Sequence, residues 1–287
     1  MPNRKQQTVL VLGGSGRFGR NASRAYADAG WHVRQFDRAR DDLMDAARGA
    51  DVIVAAWNPE YHKWADLLPD MHAKIRAAAL ANDATVIVPG NVYVFGEQTP
   101  APWGEKTPHG AKNPLGRLRI EMEAAYKRDG VRTIVLRAGD YIDTIHSGNW
   151  FDLIMIKKLG KGVFTYPGRS DIAHAWGYLP DLARAAVQLS EKRAQLARFE
   201  DIPFPGYTLT GDQIAEKIAE VTGGPVKLRK MAWGPLRLVQ PFMPTLKGLF
   251  EMRYLWNTPH HLNADKFNKL LPDFSQTPVN KAIKSAL

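Results

Sequence analysis

Three glycines, Gly13, Gly16 and Gly19, recur at intervals of three and enclose Gly14, Ser15, Arg17 and Phe18. A diphosphate needs backbone N–H groups at close range and a helix N-terminus aimed at it, and side chains at the turn would block that approach. An apolar run at 8–12 precedes the loop and a helical pattern at 17–29 follows it, so the loop ends a strand and opens a helix. That context gives the glycines their meaning. Asp37 lies 18 residues beyond Gly19, where an acidic residue takes the adenosine ribose hydroxyls. The loop and Asp37 together call for NAD or NADP. Asp37 repels a 2′-phosphate, whereas Arg38 and Arg17 would attract one, so NAD is favoured only slightly. Ser15 has the outline of a nucleophile elbow, but G-x-S-x-G needs glycine where Arg17 stands.

Further along, Asp140 and Tyr141 follow a strand expected at 132–137, and open α/β sheets place ligand groups beyond such strand ends. Asp140 is a candidate general base there, or a loop cap. His174 and Trp176 are two apart, so an extended segment turns both to one side, and a histidine delivers protons near neutral pH. Trp57, Trp150 and Phe151 would add aromatic walls or core. His260 and His261 are adjacent, which sends their rings apart, and no metal site is expected.

The elements that must position these residues alternate. Strands are expected at 8–12, 31–36, 51–56, 85–88 and 132–137, with helices at 17–29, 39–48, 61–81 and 115–128 between and after them. This order predicts an α/β fold, a Rossmann doubly wound parallel sheet with helices on both faces. Beyond 140 the alternation weakens, so a nucleotide-binding domain over 1–185 and a small C-terminal substrate lobe over 186–287 are expected, with 140–180 contributing to the pocket. Pro180 suits the first turn of a helix over 181–195, and Thr210 with Gln213 forms a capping box for a helix ending near Gly223. The apolar stretch 231–249, cut by Pro235, Pro241 and Pro244, is expected to pack within the small lobe rather than lie on a membrane surface.

Composition narrows the partners. The 287 residues carry a formal charge of +10 and no cysteine, which excludes disulfides and thiolate chemistry. The cations are scattered, densest at Lys157, Lys158 and Lys161 and at 227–230, and no recognition motif accompanies them, so a solvated surface is expected and no nucleic-acid partner. The polar start MPNRKQQ and the absence of any long apolar run point to a cytoplasmic protein with no membrane partner.

The glycine spacing, Asp37, the segment N-V-Y-V-F-G at 91–96, Leu136-Arg137 and G-Y-L-P-D-L-A-R at 177–184 resemble an extended or atypical short-chain dehydrogenase/reductase of the NAD-dependent epimerase/dehydratase type. The resemblance implies a catalytic Ser or Thr and a Tyr-x-x-x-Lys pair. Aligning N-P-L-G-R-L-R at 113–119 puts Leu115 in the tyrosine's place, Arg119 in the lysine's and Asn91 in that of the Ser or Thr. Leucine has no proton to exchange, and Arg119 stays charged, suited to holding the nicotinamide ribose but not to acting as a base. A subgroup with G-R-L-R, N-W-F, H-x-W-x-Y-L-P-D and E-M-R-Y-L-W resembles this chain and shares the altered positions. By that likeness Asn91 and Tyr93 face the nicotinamide, and Tyr93 becomes the first proton donor to consider, beside Asp140 and His174.

The expected activity is an NAD(P)-dependent oxidoreductase acting on a small carbonyl, imine or activated alkene. The alternatives are a sugar-nucleotide epimerase or dehydratase and a non-catalytic NAD(P)-sensing regulator of the NmrA-like kind. Relatives of this fold dimerise through two helices, which the analogy places at 61–81 and 115–128 in a homodimer.

Overall fold

The structure, a computed structural model, describes residues 6–287. Strands β1 (Thr8–Leu12), β2 (His32–Phe36), β3 (Val52–Ala55), β4 (Thr85–Gly90), β5 (Thr133–Arg137) and, from much later in the chain, Phe199–Pro203 form one sheet. Every pairing within it is parallel. Residues of a strand point alternately to opposite faces, and in β1 both faces are apolar. Val9 and Val11 pack with Phe18 and Ala22 of α1 (Arg17–Asp28), whereas Leu10 and Leu12 pack with Ile75 of α3 (Trp64–Ala81) and Met122 of α4 (Pro114–Arg128). Helices thus cover both sides of the sheet.

The elements differ locally from the sequence pattern at three places. The helix expected over 39–48 shrinks to α2 (Leu43–Ala46), because Asp37 accepts from the Ala39 N–H and Asp42 from the Asp45 N–H, turning the chain before the helix starts. The helix expected from residue 61 opens as a single tight turn at Tyr61–Lys63 before α3. The helix expected over 181–195 is α5 (Leu179–Glu191), followed by a separate turn at Arg193–Gln195.

The second lobe is built around the short sheet β6 (Asp140–Ile142), β8 (His174–Tyr178) and β10 (Tyr207–Leu209), with β8 central. Strand β7 (Val163–Tyr166) pairs with β11 (Lys227–Lys230), and β9 is the Phe199–Pro203 strand of the large sheet. Residues 140–178 already supply strands of the second sheet, and β9 returns to the first. Helix α6 (Gly211–Thr222) carries the Thr210–Gln213 capping box, and Gly223 ends it in the left-handed conformation, with φ +70°. The remaining helices are α7 (Trp233–Val239), α8 (Pro244–Glu251), α9 (Asp265–Leu270) and α10 (Val279–Ala286). Segment 231–249 packs only in part: Trp233 and Leu246 are buried, but Leu238, Val239, Phe242 and Met243 stand in solvent. Among the described residues no helix is long and apolar enough to cross a membrane.

Where β4, β5, β9 and α4 meet, Arg137 is fully buried. Its guanidinium donates to Asp201 at 3.0 and 2.6 Å, to Glu123 at 2.7 Å and to the Asn91 carbonyl at 2.6 Å. His109, Glu123 and Asp201 bring ligand-type atoms within 4.8 Å of one another, yet Arg137 already supplies the cation among them. Burial pushes the Asp201 carboxyl up, but Arg137 and His109 outweigh it and hold it below its ordinary range. Replacing Arg137 with Met should destabilise the fold by about 3–5 kcal/mol, since two carboxylates lose their partner. A carboxylate with a depressed folded pKa contributes fully at neutral pH, and its contribution is lost as pH falls through that pKa. Urea unfolding should therefore show the gap between wild type and Arg137→Met narrowing from neutral pH to about pH 3.

Candidate functional site

At the C-terminal end of β1 the chain turns through Gly13, whose φ of +78° suits glycine, and the Gly16 N–H donates to the Gly13 carbonyl at 2.9 Å. A Cβ on Gly19 would stand 2.1 Å from that carbonyl oxygen, so only glycine lets α1 begin this close to the loop. Helix α1 has no side-chain cap and no acid in its first turn, which leaves its N–H groups and positive end for an anion. This cradle fits a diphosphate. Ser15 lies exposed in the loop, while Phe18 turns its ring into the core and offers a ligand only its backbone.

Asp37 follows β2 directly and is half-exposed. One of its oxygens is engaged by Ala39 N–H at 2.9 Å and the other lies 3.4 Å from Arg40. The Arg38 guanidinium lies over the Trp57 ring at 5.6 Å, forming a flat wall beside Asp37. Arg17 runs elsewhere. Its Nε–H donates to the Ser147 carbonyl at 3.0 Å and its Nη2 to the Gly148 carbonyl, so its head grips the 143–150 loop and not the ground near Asp37.

Asn91, expected to face the nicotinamide, uses its side-chain oxygen to accept from the Tyr93 N–H at 3.1 Å, and its carbonyl binds Arg137. It caps the tight turn Val92–Val94 and thereby aims Tyr93. The Tyr93 hydroxyl lies 2.6 Å from that of Tyr61, and its ring stacks on Trp64 with centroids 6.2 Å apart. Tyr61 carried no signal in the sequence beyond its place at the start of a helical pattern. Burial pushes the Tyr93 hydroxyl well above its ordinary value, raises that of Tyr61, and lifts Tyr141 to about 12. The negative charge of Asp140 pushes all three the same way.

Arg119 is buried beside this group, donating to the Pro89 carbonyl at 2.8 Å and lying 3.7 Å from Glu123. Burial lowers its pKa from the ordinary arginine value, and its charge acts on both Tyr93 and Tyr141. Leu115 sits in the apolar cluster with Trp64 and Val92, where it can move no proton.

Asp140 and His174 are brought together at 2.8 Å. His174 is 1% exposed and its ring lies flat on Trp256, centroids 4.3 Å apart and planes 2° from parallel. The Asp140 side chain keeps 21% of its surface open. Asp140 is therefore the member that a ligand can touch, and His174 stands behind it as the orienting partner. Trp256 belongs to the C-terminal E-M-R-Y-L-W segment, whose first residue has its own task. Glu251 accepts from the Leu115 backbone N–H at 2.6 Å and from the Asn113 amide at 2.8 Å, capping α4 from across the lobe boundary. Trp150 packs against Trp256 and Trp233, and Phe151 is core.

Neither the known family models nor the curated proteins match this sequence. Solved structures do resemble its fold. A nucleoside-diphosphate-sugar epimerase from Pseudomonas aeruginosa superposes with a TM-score of 0.74 at 16% identity, covering 98% of this chain and 96% of that one. UDP-N-acetylglucosamine 4-epimerase from Bacillus cereus gives 0.74 at 15% identity over 98% and 95% of the two chains. MoeE5 in complex with UDP-glucose and NAD gives 0.73 at 13% identity over 97% of both. The likeness is one of fold.

Glu251→Ala should leave the Leu115 N–H without its acceptor and cost about 1–2 kcal/mol. Thermal unfolding would register this as a lower midpoint, and Glu251→Gln, which keeps an acceptor oxygen, should recover part of the loss.

Proposed function

We propose that this protein binds NAD over the 13–19 loop and reduces a keto group on a sugar nucleotide, with Tyr93 as the proton donor. When bound, the reduced cofactor supplies a hydride to the carbonyl carbon. Gly13, Gly16 and Gly19 would hold the diphosphate, Asp37 the adenosine ribose, Trp57 and Arg38 the edge of the adenine, and Arg119 the nicotinamide ribose. The substrate class comes from the enzymes of like fold, which are sugar-nucleotide epimerases and a protein solved with UDP-glucose and NAD. It replaces the small carbonyl, imine or alkene that the sequence suggests.

The observation that carries the direction of reaction is the hydroxyl pair of Tyr61 and Tyr93. A tyrosine paired with a lysine is poised to lose its proton, whereas this pair is desolvated and held protonated near Asp140. A protonated hydroxyl donates to a carbonyl oxygen as hydride reaches the carbon. The tyrosinate left on Tyr93 then recovers its proton from Tyr61, 2.6 Å away. Tyr61 in turn takes a proton from water, and Asp140, backed by His174, accepts hydrogen bonds from substrate hydroxyls. An epimerase that begins by oxidising its substrate would need the opposite starting state.

Fluorescence titration should show NADH binding that Asp37→Ala weakens and Gly19→Ala abolishes. With a 4-keto sugar nucleotide, NADH absorbance should fall, and Tyr93→Phe should slow that decay by about 100-fold or more without changing NADH affinity. Because Tyr93 stays protonated above the ordinary tyrosine value of 10.0, the wild-type rate should show no alkaline fall below about pH 10 from this group. Undiminished turnover by Tyr93→Phe would sink the proposal, and NADH binding with no turnover of any keto sugar nucleotide would favour the sensor.

A further inference from the structure

From Val221 to Phe250 the chain has no aspartate or glutamate, and it carries Lys227, Arg229, Lys230, Arg237 and Lys247. All five cations are exposed. The same stretch holds the two most exposed large apolar side chains among the described residues, Phe242 at 85% and Leu238 at 80%, together with Val239 and Met243. Leu238 and Val239 end α7, and Phe242 and Met243 come at the end of and just after the turn Gln240–Phe242, so the four exposed apolar side chains fall within six consecutive residues.

Both ends of this projection are anchored. Before it, the Met231 N–H donates to the Tyr166 carbonyl at 2.8 Å, and the Trp233 indole N–H to the Pro167 carbonyl at 2.6 Å. After it, Leu246 is buried and Gly248 lies against the Tyr61 side chain, where a Cβ would come within 2.5 Å. The apolar tip is thus held out from the body by packed bases, and Pro235, Pro241 and Pro244 limit its ways of folding back.

We propose that residues 227–247 are a docking spur for an anionic lipid surface, with Leu238, Val239, Phe242 and Met243 entering the headgroup boundary and the flanking cations meeting lipid phosphates. An exposed apolar cluster marks a contact surface, and the charge around it selects the partner. A second copy of this chain, meeting the spur about a two-fold axis, would set a run of cations with no acid against itself. An anionic bilayer offers acyl chains to the tip and negative charge to Lys227, Arg229, Lys230, Arg237 and Lys247. The spur's second anchor abuts Tyr61, so docking would hold the candidate site close to the membrane. The proposal stands whether or not the reductase reading does.

The test is co-sedimentation of the full chain with large unilamellar vesicles. The protein should pellet with mixed phosphatidylglycerol and phosphatidylcholine vesicles, remain in solution with phosphatidylcholine alone, and be released as salt rises. Leu238→Ser with Phe242→Ser should lower the partition coefficient about tenfold or more, and so should Lys227→Glu with Arg229→Glu and Lys230→Glu. These side chains are exposed, so thermal midpoints and NADH binding should match wild type. Wild type left in solution with the mixed vesicles, or either variant binding as wild type does, would overturn the proposal. A dimer that Phe242→Ser dissociates, with no vesicle binding, would overturn it in favour of self-association.

Discussion

A guanidinium taken wholly out of water must have its charge answered and its N–H groups received, or the fold that buries it does not form. Arg137 meets that demand by drawing four parts of the chain to one point: Glu123 of α4, Asp201 of β9, the Asn91 carbonyl after β4, and its own strand β5. The contact with the Asn91 carbonyl reaches the site. By holding Asn91, Arg137 fixes the turn whose cap aims Tyr93, so an ion-pair network inside the sheet sets the place of a hydroxyl outside it. The same network ties a strand from beyond residue 195 into the large parallel sheet, since its Asp201 pairs with Arg137 there.

The site that results handles charge differently from a tyrosine–lysine pair. A lysine beside tyrosine lowers its pKa and prepares it to accept a proton. Here Arg119 is buried and committed to the Pro89 carbonyl and Glu123, while Tyr61, Tyr93 and Tyr141 are desolvated near the charge of Asp140. Desolvation disfavours the tyrosinate, so these groups keep their protons across the physiological range. The position at which a catalytic tyrosine would start α4 is filled by Leu115 in an apolar cluster, its backbone clipped by Glu251. The side chains here that carry exchangeable protons stand instead in the turn after β4 and in the Asp140–His174 pair.

Closure of the site depends on the second lobe. Trp256 supplies the flat surface on which His174 rests, and Glu251, five residues earlier, caps α4. Because the lobes interleave, the residues that surround Asp140 come from β6, β8 and the chain beyond α8, each placed by its own packing.

The sequence by itself determined the parallel sheet, the loop of Gly13, Gly16 and Gly19, the acid at Asp37 and the absence of a tyrosine at position 115. These depend on local rules: apolar period, glycine where a side chain would collide, and spacing along a single strand–helix unit. Tertiary structure decided what those rules leave open. Tyr61 and Tyr93 are 32 residues apart, and Asp140 and His174 are 34 apart, so neither pair has a sequence spacing to reveal it. Arg17 reads as a phosphate ligand along the chain, yet a distant loop offers it carbonyls. The stretch at 231–249 reads as core because composition records apolar residues without recording which face finds a partner. Burial, contact and the shift of a hydroxyl's pKa belong to atoms meeting across the fold, and a sequence specifies those meetings only through the whole of it.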